Sequence, residues 1–393
     1  MFRMGQEEVE AVRRVVESGE LFRVNNALQE ADKFEKEWRE TIGTDYAILL
    51  SSGTGALISA LAGLGVGPGD EVIVPGYTFM ASASAVLAVG AIPVLAEINE
   101  TMTLDPADVE KKISKHTKGI IPVHICGYPA DLDSICAIAK KHNLFVLEDA
   151  CQADGGSYKG KRLGSIGDAG AFSFNHWKLL SAGEGGALVT NNRKVYERAL
   201  IYHDGGAAFR PYTGDLTEPI FMGTQMRSSD IMGAIMRVQL TRMDGIIDDL
   251  RRVKAAMKER LAGCDLYKFA PSNDEAGDLG TTLPLQFHDA ATARRFADAV
   301  NDRIKGTLVA DSGKHIYYNW TPLMEHRGSH CDATNPYMLP QNQGLNMEYS
   351  DDMLPVTVDL VNRTYHVLLH CDWTEQDIEN NAKMVLTICD EIR

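Results

Sequence analysis

Three short segments hold residues whose types and spacing could do chemistry. The first, Ser51 to Leu57 (SSGTGAL), follows the apolar run YAILL directly and opens a helix-forming stretch. Small residues let a backbone approach an anion, and a helix N-terminus offers free N–H groups with a favourable dipole. A phosphate could therefore rest at Gly53, Thr54 and Gly55. The segment lacks the Gly-Lys-Ser/Thr ending of a P-loop, and GLGVGPG at 63–69 has proline where a dinucleotide motif needs its third glycine. A plain strand-to-helix turn is an equal reading of the segment alone. The second segment is VLEDACQA, where an apolar strand ends in Glu148 and Asp149. Open α/β sheets place ligands at the C-terminal ends of parallel strands. A buried acid there wants a cationic partner, which a protonated ring nitrogen would supply, although a helix N-cap role for Asp149 fits equally. The third, SFNHWKLLSAGEGG, places Lys178 on a loop between a strand and a glycine-rich turn. A lysine held near a phosphate site and desolvated becomes a Schiff-base nucleophile, whereas a loop lysine by itself is a solvated charge.

These segments need a frame that gathers them. From Tyr46 onward, apolar runs alternate with helical patterns: YAILL and Gly55 to Leu64, EVIVP and Ala81 to Val89, IPVLAEI and Pro106 to Ile113, GIIPVHI and Leu132 to His142, then LFVLED. Such alternation predicts an α/β layer with mostly parallel strands, and their unbroken hydrophobicity predicts a sheet covered on both faces. After Asp149 come two short strands, GAFSF and GGALVT, and a long helix from Ser229 to about Leu261 with a Ser/Asp start. TTLPLQF, a helix from Ala290 to Val300, YHVLLH and a last helix from Thr374 to Ile392 predict a small α+β domain. The expected division is a large domain over 1–245 and a small one over 246–393. Residues 311–352, rich in His, Tyr, Asn, Met and Pro, read as an irregular loop over a site.

The chain has 393 residues, 45% of them hydrophobic, enough for a sizeable core. A formal charge of −15 repels phosphate backbones, so nucleic acid and anionic membranes are poor partners. MFRMGQEEVEAVRR has no apolar core of signal-peptide length and no run is long enough to span a bilayer, which predicts a cytoplasmic location. Seven scattered cysteines without a CxxC pair predict reduced, mostly buried thiols and no metal site. His124 and Cys126 in VHICG imitate a metal pair, but no further ligands recur at zinc spacing. Met222, Met226, Met232 and Met236 read as core or interface filling.

Together, SSGTGAL, VPGYTFMAS, LEDACQA, GDAGAFSFNHWKLLSAGEGGALVTNN and QMRSSDIMGAIMRVQL resemble, in that order, the DegT/DnrJ/EryC1/StrS family. These are fold-type I aminotransferases dependent on pyridoxal 5′-phosphate and acting on keto-sugars and related polyols. The likeness runs from the N-terminal helix to at least residue 245. It implies a seven-stranded, mostly parallel sheet in the large domain. The family pattern SFxxxK followed by GEGG falls on Ser173, Phe174, Lys178 and Gly183 to Gly186, so the resemblance makes Lys178 the Schiff-base residue. A branch of the family carries histidine at that position and dehydrates its sugar; here the lysine is kept, and His176 reads as packing beside the loop. Glu184 reads as a turn residue. By the same resemblance Asp149 pairs with the pyridinium nitrogen, Gln152 bonds the ring's phenolic oxygen, and Gly53, Thr54, Gly55 and Ser173 hold the phosphate. Phe79 stacks on the ring, with Tyr77 as a possible substitute.

One departure is visible. The family's G-x-N-x-R appears as GTQMR, with Gln225 where an asparagine reaches the neighbouring subunit's cofactor phosphate. The contact could persist on the longer stem, or Gln225 could be an interface residue only. DACQADGGSYKG, YYNW and WTEQDI are most similar to the subgroup that makes 8-amino-3,8-dideoxy-manno-octulosonate, with a looser likeness to cyclitol aminotransferases and 3-amino-5-hydroxybenzoate synthase. Tyr317, Tyr318, Asn319 and Trp320 could wall a sugar site, or simply fold over their own domain. The resemblance implies ping-pong transfer from glutamate or glutamine to a keto or aldehyde carbon of a sugar-like acceptor by a homodimer. A sugar dehydratase using the same cofactor and a cofactor-binding protein without turnover are the alternatives.

Overall fold

Strands buried on both faces need side chains that are apolar at every position, and the runs along this chain supply them. The computed structural model describes residues 2–24, 27–206 and 215–393. Its strands begin with β1 (Tyr46–Leu50), β2 (Glu71–Pro75), β3 (Ile92–Ala96), β4 (Thr117–Ile120) and β5 (Phe145–Asp149). A two-residue hairpin, β6 (Ser157–Tyr158) and β7 (Lys161–Arg162), precedes β8 (Ala169–Ser173) and β9 (Gly186–Thr190). Seven of these form one sheet in the order β1-β9-β8-β5-β4-β2-β3. β9 is antiparallel to both β1 and β8, and the remaining pairs are parallel, so six strands share one direction. All residues of β2, β3, β8 and β9 are buried.

The helix Gly53–Gly63 starts two residues earlier than its apolar pattern implied, because Ser52 caps it: the Ser52 hydroxyl accepts from the Gly55 N–H at 2.9 Å. Ser52→Ala is expected to lower unfolding free energy by about 1 kcal/mol. Urea titration would show this as a lower midpoint with an unchanged slope.

Behind the sheet, the helix Glu30–Ile42 brings Trp38 edge-on to Phe172 at 5.0 Å and to Phe174 at 5.4 Å. All three rings are fully buried. Because successive strand residues face opposite ways, anchoring Phe172 at the back turns Ser173 to the front.

The 32-residue helix Asp230–Leu261 is capped by Ser229, and the 245/246 division falls inside it. It leads to a second sheet of β10 (Tyr267–Phe269), β11 (Thr282–Phe287), β12 (Gly306–Leu308) and β13 (Thr364–Leu368), ordered β10-β11-β13-β12 and wholly antiparallel. Residues 309–352 form a chain of short turns that returns to the large sheet. Asn342 accepts from the Gly69 N–H at 2.6 Å, and the Tyr349 hydroxyl donates to the Pro93 carbonyl at 2.7 Å. Among the described residues no helix is long and apolar enough to cross a membrane. None of the seven cysteines forms a disulfide; Cys371 and Cys389 are buried, Cys331 is exposed, and four are half-buried, fewer buried than their hydrophobic character implied.

Candidate active site

Six strands end at the same side of the large sheet, and the segments beyond five of them, β1, β2, β4, β5 and β8, line a cavity of about 550 Å³. β1 leads into Ser52, Gly53 and Thr54 on its wall. Close approach makes that turn possible: a β-carbon on Gly53 would lie 2.8 Å from both Ser173 Cβ and Cys151 Sγ. One on Gly186 would lie 2.4 Å from the Ser52 backbone. Only glycine fits at either position, and the helix N-terminus is thereby set against Ser173.

β5 delivers the acids to different places. Glu148 faces the protein interior and accepts four hydrogen bonds, from the N–H groups of Gly164, Ile166 and Gly167 and from His124 Nε2 at 3.1 Å. His124 Nδ1 accepts from the Ala130 N–H at 3.1 Å, so its proton sits on Nε2 and the ring is fully used in packing. Asp149 faces the cavity. Its carboxylate accepts from the Ser82 hydroxyl at 2.7 Å and from the Cys151 N–H at 3.1 Å. It is 4% exposed and, among the described residues, has no ion-pair partner, which leaves a buried negative charge open to a cation from the cavity. The Gln152 amide oxygen accepts from the Cys126 N–H at 3.0 Å, so its amide N–H groups are left for a ligand.

The loop after β8 brings Lys178 to the same wall, half-buried, with no hydrogen-bond partner for Nζ among the described residues. Burial pushes the Cys126 thiol up to about 11 and the Cys151 thiol well above its usual range, against the pull of Lys178 in both cases. Neither is therefore a thiolate nucleophile. Phe79 lines the cavity at 36% exposure, whereas Tyr77 is buried beneath it.

Gly53, Thr54, Phe79, Asp149, Gln152, Ser173 and Lys178 thus meet around one space. Gly55 does not line this space: its N–H is taken by the Ser52 hydroxyl. Gln225 is exposed, bridged to Asp204, and stands outside this cavity. Tyr317 and Trp320 differ from the expectation for a sugar wall. Both are core residues, with the Tyr317 hydroxyl donating to the Asp351 carbonyl at 2.6 Å and Trp320 Nε1 donating to the Lys314 carbonyl at 2.8 Å. Asn319 is exposed and tied to the Gly313 carbonyl, and Tyr318 is half-buried; neither lines the cavity. The same segment instead contributes Lys314 and His315, which sequence reasoning missed. The signal was a Lys-His pair at the start of the irregular loop. Asn175, Trp177 and Glu184 also line the cavity, and Glu184 accepts from the Asn175 amide at 3.0 Å. His176 is exposed against Phe2. Met236 is buried in the core and Met222 is 87% exposed.

A free amine, an uncompensated buried carboxylate and an open helix N-terminus around one cavity suit a phosphorylated ring with a protonated nitrogen. Residues 3–380 match the DegT/DnrJ/EryC1/StrS aminotransferase family. The chain belongs to that family. It is 31% identical over 375 residues to L-glutamine:2-deoxy-scyllo-inosose aminotransferase of Streptomyces fradiae, covering 92% of this chain and 85% of that one. It is 40% identical over 231 residues to GDP-perosamine synthase of Escherichia coli O157:H7, a match spanning 58% of this chain and only 62% of the synthase. The X-ray structure of the aminotransferase from Psychrobacter cryohalolentis superposes with a TM-score of 0.84 at 28% identity, over 99% of this chain and 98% of that one.

Proposed function

We propose that this family member is a cytoplasmic, homodimeric aminotransferase that moves an amino group from glutamate or glutamine to a keto or aldehyde carbon of a sugar-like or cyclitol acceptor, with pyridoxal 5′-phosphate held by the cavity described. The names of the Streptomyces and Escherichia relatives support an inosose or sugar acceptor, and the former supports glutamine as donor. When bound, the cofactor supplies a ring that withdraws electrons from the carbon bearing the amino group. The residues present fit it. Gly53 and Thr54 offer N–H groups, and Ser173 a hydroxyl, to the phosphate. Gln152 would donate to the ring oxygen through the amide left free by Cys126, and Phe79 would pack against the ring. Asp149, braced by Ser82, would keep a proton on the ring nitrogen. Lys178 Nζ would be the attachment point; it would take up the proton of the donor carbon in the first half-reaction and supply a proton to the acceptor carbon in the second. Gln225, exposed beyond its own cavity, would face the cofactor phosphate of a twofold-related copy.

The observation that carries this reading is the buried Asp149 carboxylate, with no ion-pair partner among the described residues, lining the same cavity as Lys178. Asp149→Asn keeps the shape and removes the charge. Amino transfer from glutamine is expected to fall by at least about 10²-fold, with Asp149→Glu intermediate and both proteins folded. Stopped-flow loading of the cofactor by glutamine measures it; an asparagine variant as fast as wild type would remove the role assigned to Asp149.

A further inference from the structure

The geometry points to His315 as a specificity residue that reads a hydroxyl group of the acceptor through the lone pair of its Nε2. This rests on the aminotransferase reading and adds the chemistry by which the acceptor is chosen. His315 lines the cavity beside Phe79, whose ring centroid is 5.5 Å from the imidazole. Its position is fixed from both sides. The Thr78 N–H donates to the His315 carbonyl at 2.9 Å and the Met80 N–H to the Lys314 carbonyl at 3.1 Å, stitching the pair to the loop after β2. Gly313, with φ of +62°, turns the chain so that His315 Nδ1 meets the Ser312 carbonyl at 3.1 Å.

A carbonyl oxygen only accepts, so Nδ1 must carry the proton. Burial, then the neighbouring charges of Lys178 and Lys314, hold the imidazole below its usual range, and the ring is neutral at pH 7. Nε2 is therefore an acceptor, and no partner for it exists among the described residues. Once a ligand displaces water from this cavity, the acceptor nitrogen needs a donor from the ligand. The ketone or aldehyde being aminated has none to offer, and glutamate's side-chain carboxylate has none either; the hydroxyl groups of a polyol do, and glutamine's amide, the other donor available, is separated from them by the test below. Lys314, whose ammonium lies 5.6 Å from the Phe79 centroid, stands beside it as a donor to the same class of group.

The test has two parts. In the protein without turnover, nitrogen NMR of the histidines at pH 7 should place the His315 proton on Nδ1, and millimolar myo-inositol should shift Nε2 saturably. A doubly protonated ring, or a resonance indifferent to inositol, would overturn the inference. In single turnovers of glutamine-loaded enzyme, wild type should prefer 2-deoxy-scyllo-inosose to cyclohexanone by at least about tenfold. His315→Phe should erase about tenfold of that preference, read as the ratio of the two acceptors so that any change in the glutamine step cancels, and His315→Gln, whose amide oxygen also accepts, should recover part of it. Equal preference in wild type and His315→Phe, no preference in wild type, or slowing of the glutamine step instead would each count against it, the last by showing that Nε2 reads the donor's amide. If neither glutamine nor glutamate loads wild type, the aminotransferase reading fails, and the inositol titration still decides the role of His315.

Discussion

Lys178→Ala is expected to lower amino transfer by at least about 10⁴-fold in both half-reactions, because one side chain is asked both to attach the cofactor and to move the proton at the substrate carbon. Its effect on stability should be small, within about 0.5 kcal/mol, since Lys178 Nζ is half-exposed and forms no hydrogen bond with the described residues. Lys178→Arg should not rescue, because a guanidinium stays protonated near neutral pH and is a poor nucleophile. Urea unfolding alongside single-turnover kinetics separates these outcomes. A variant that unfolds with the loss of activity would mean that the lysine braces the loop after β8 instead of acting on the ligand.

Glu148→Ala is expected to have the opposite profile, with a loss of about 3–5 kcal/mol in unfolding free energy. The carboxylate is fully buried and collects three backbone N–H groups from residues 164–167 together with His124 Nε2. Removing it strands four donors where each unsatisfied group costs about 1–3 kcal/mol, partly relieved by water entering the space. Glu148→Gln keeps one acceptor oxygen and should lose less. The measurement is the urea midpoint and slope of each variant. A Glu148→Ala protein as stable as wild type would show that residues 164–167 are held by something other than this carboxylate. The adjacent Asp149 makes the contrast sharp: neighbouring acids on one strand face opposite ways, one into the scaffold and one into the cavity.

That contrast shows what sequence could and could not disclose. The strands of the large sheet were legible because both faces are covered, so each appears as an unbroken apolar run, and the boundaries of β1 and β2 coincide with the runs YAILL and EVIVP. The helices Glu30–Ile42 and Arg193–His203 were not picked out, since each shows a charged outer face and only a narrow apolar stripe. β10, β12 and the β6–β7 hairpin are two or three residues long and carry almost no periodic signal. In the cavity, residues on strand ends were legible because strand direction alone fixes where they go. The irregular loop offered no such rule. Aromatic composition drew attention to residues 317–320, but bulky apolar rings are what a loop buries to hold itself down, and Tyr317 and Trp320 do so. The polar residues just before them, Lys314 and His315, are the ones left facing the ligand space.

Two lysines line the cavity, Lys178 and Lys314, and the proposed function depends on which one the cofactor joins. Reduction of the cofactor-loaded protein with borohydride fixes a carbonyl group to its amine, and peptide mass mapping then locates the added mass. Its appearance on Lys178, with none on Lys314 and none in Lys178→Ala, is the expected result. Label on Lys314, or label unaffected by Lys178→Ala, would contradict the assignment of Lys178 and the reading built on it.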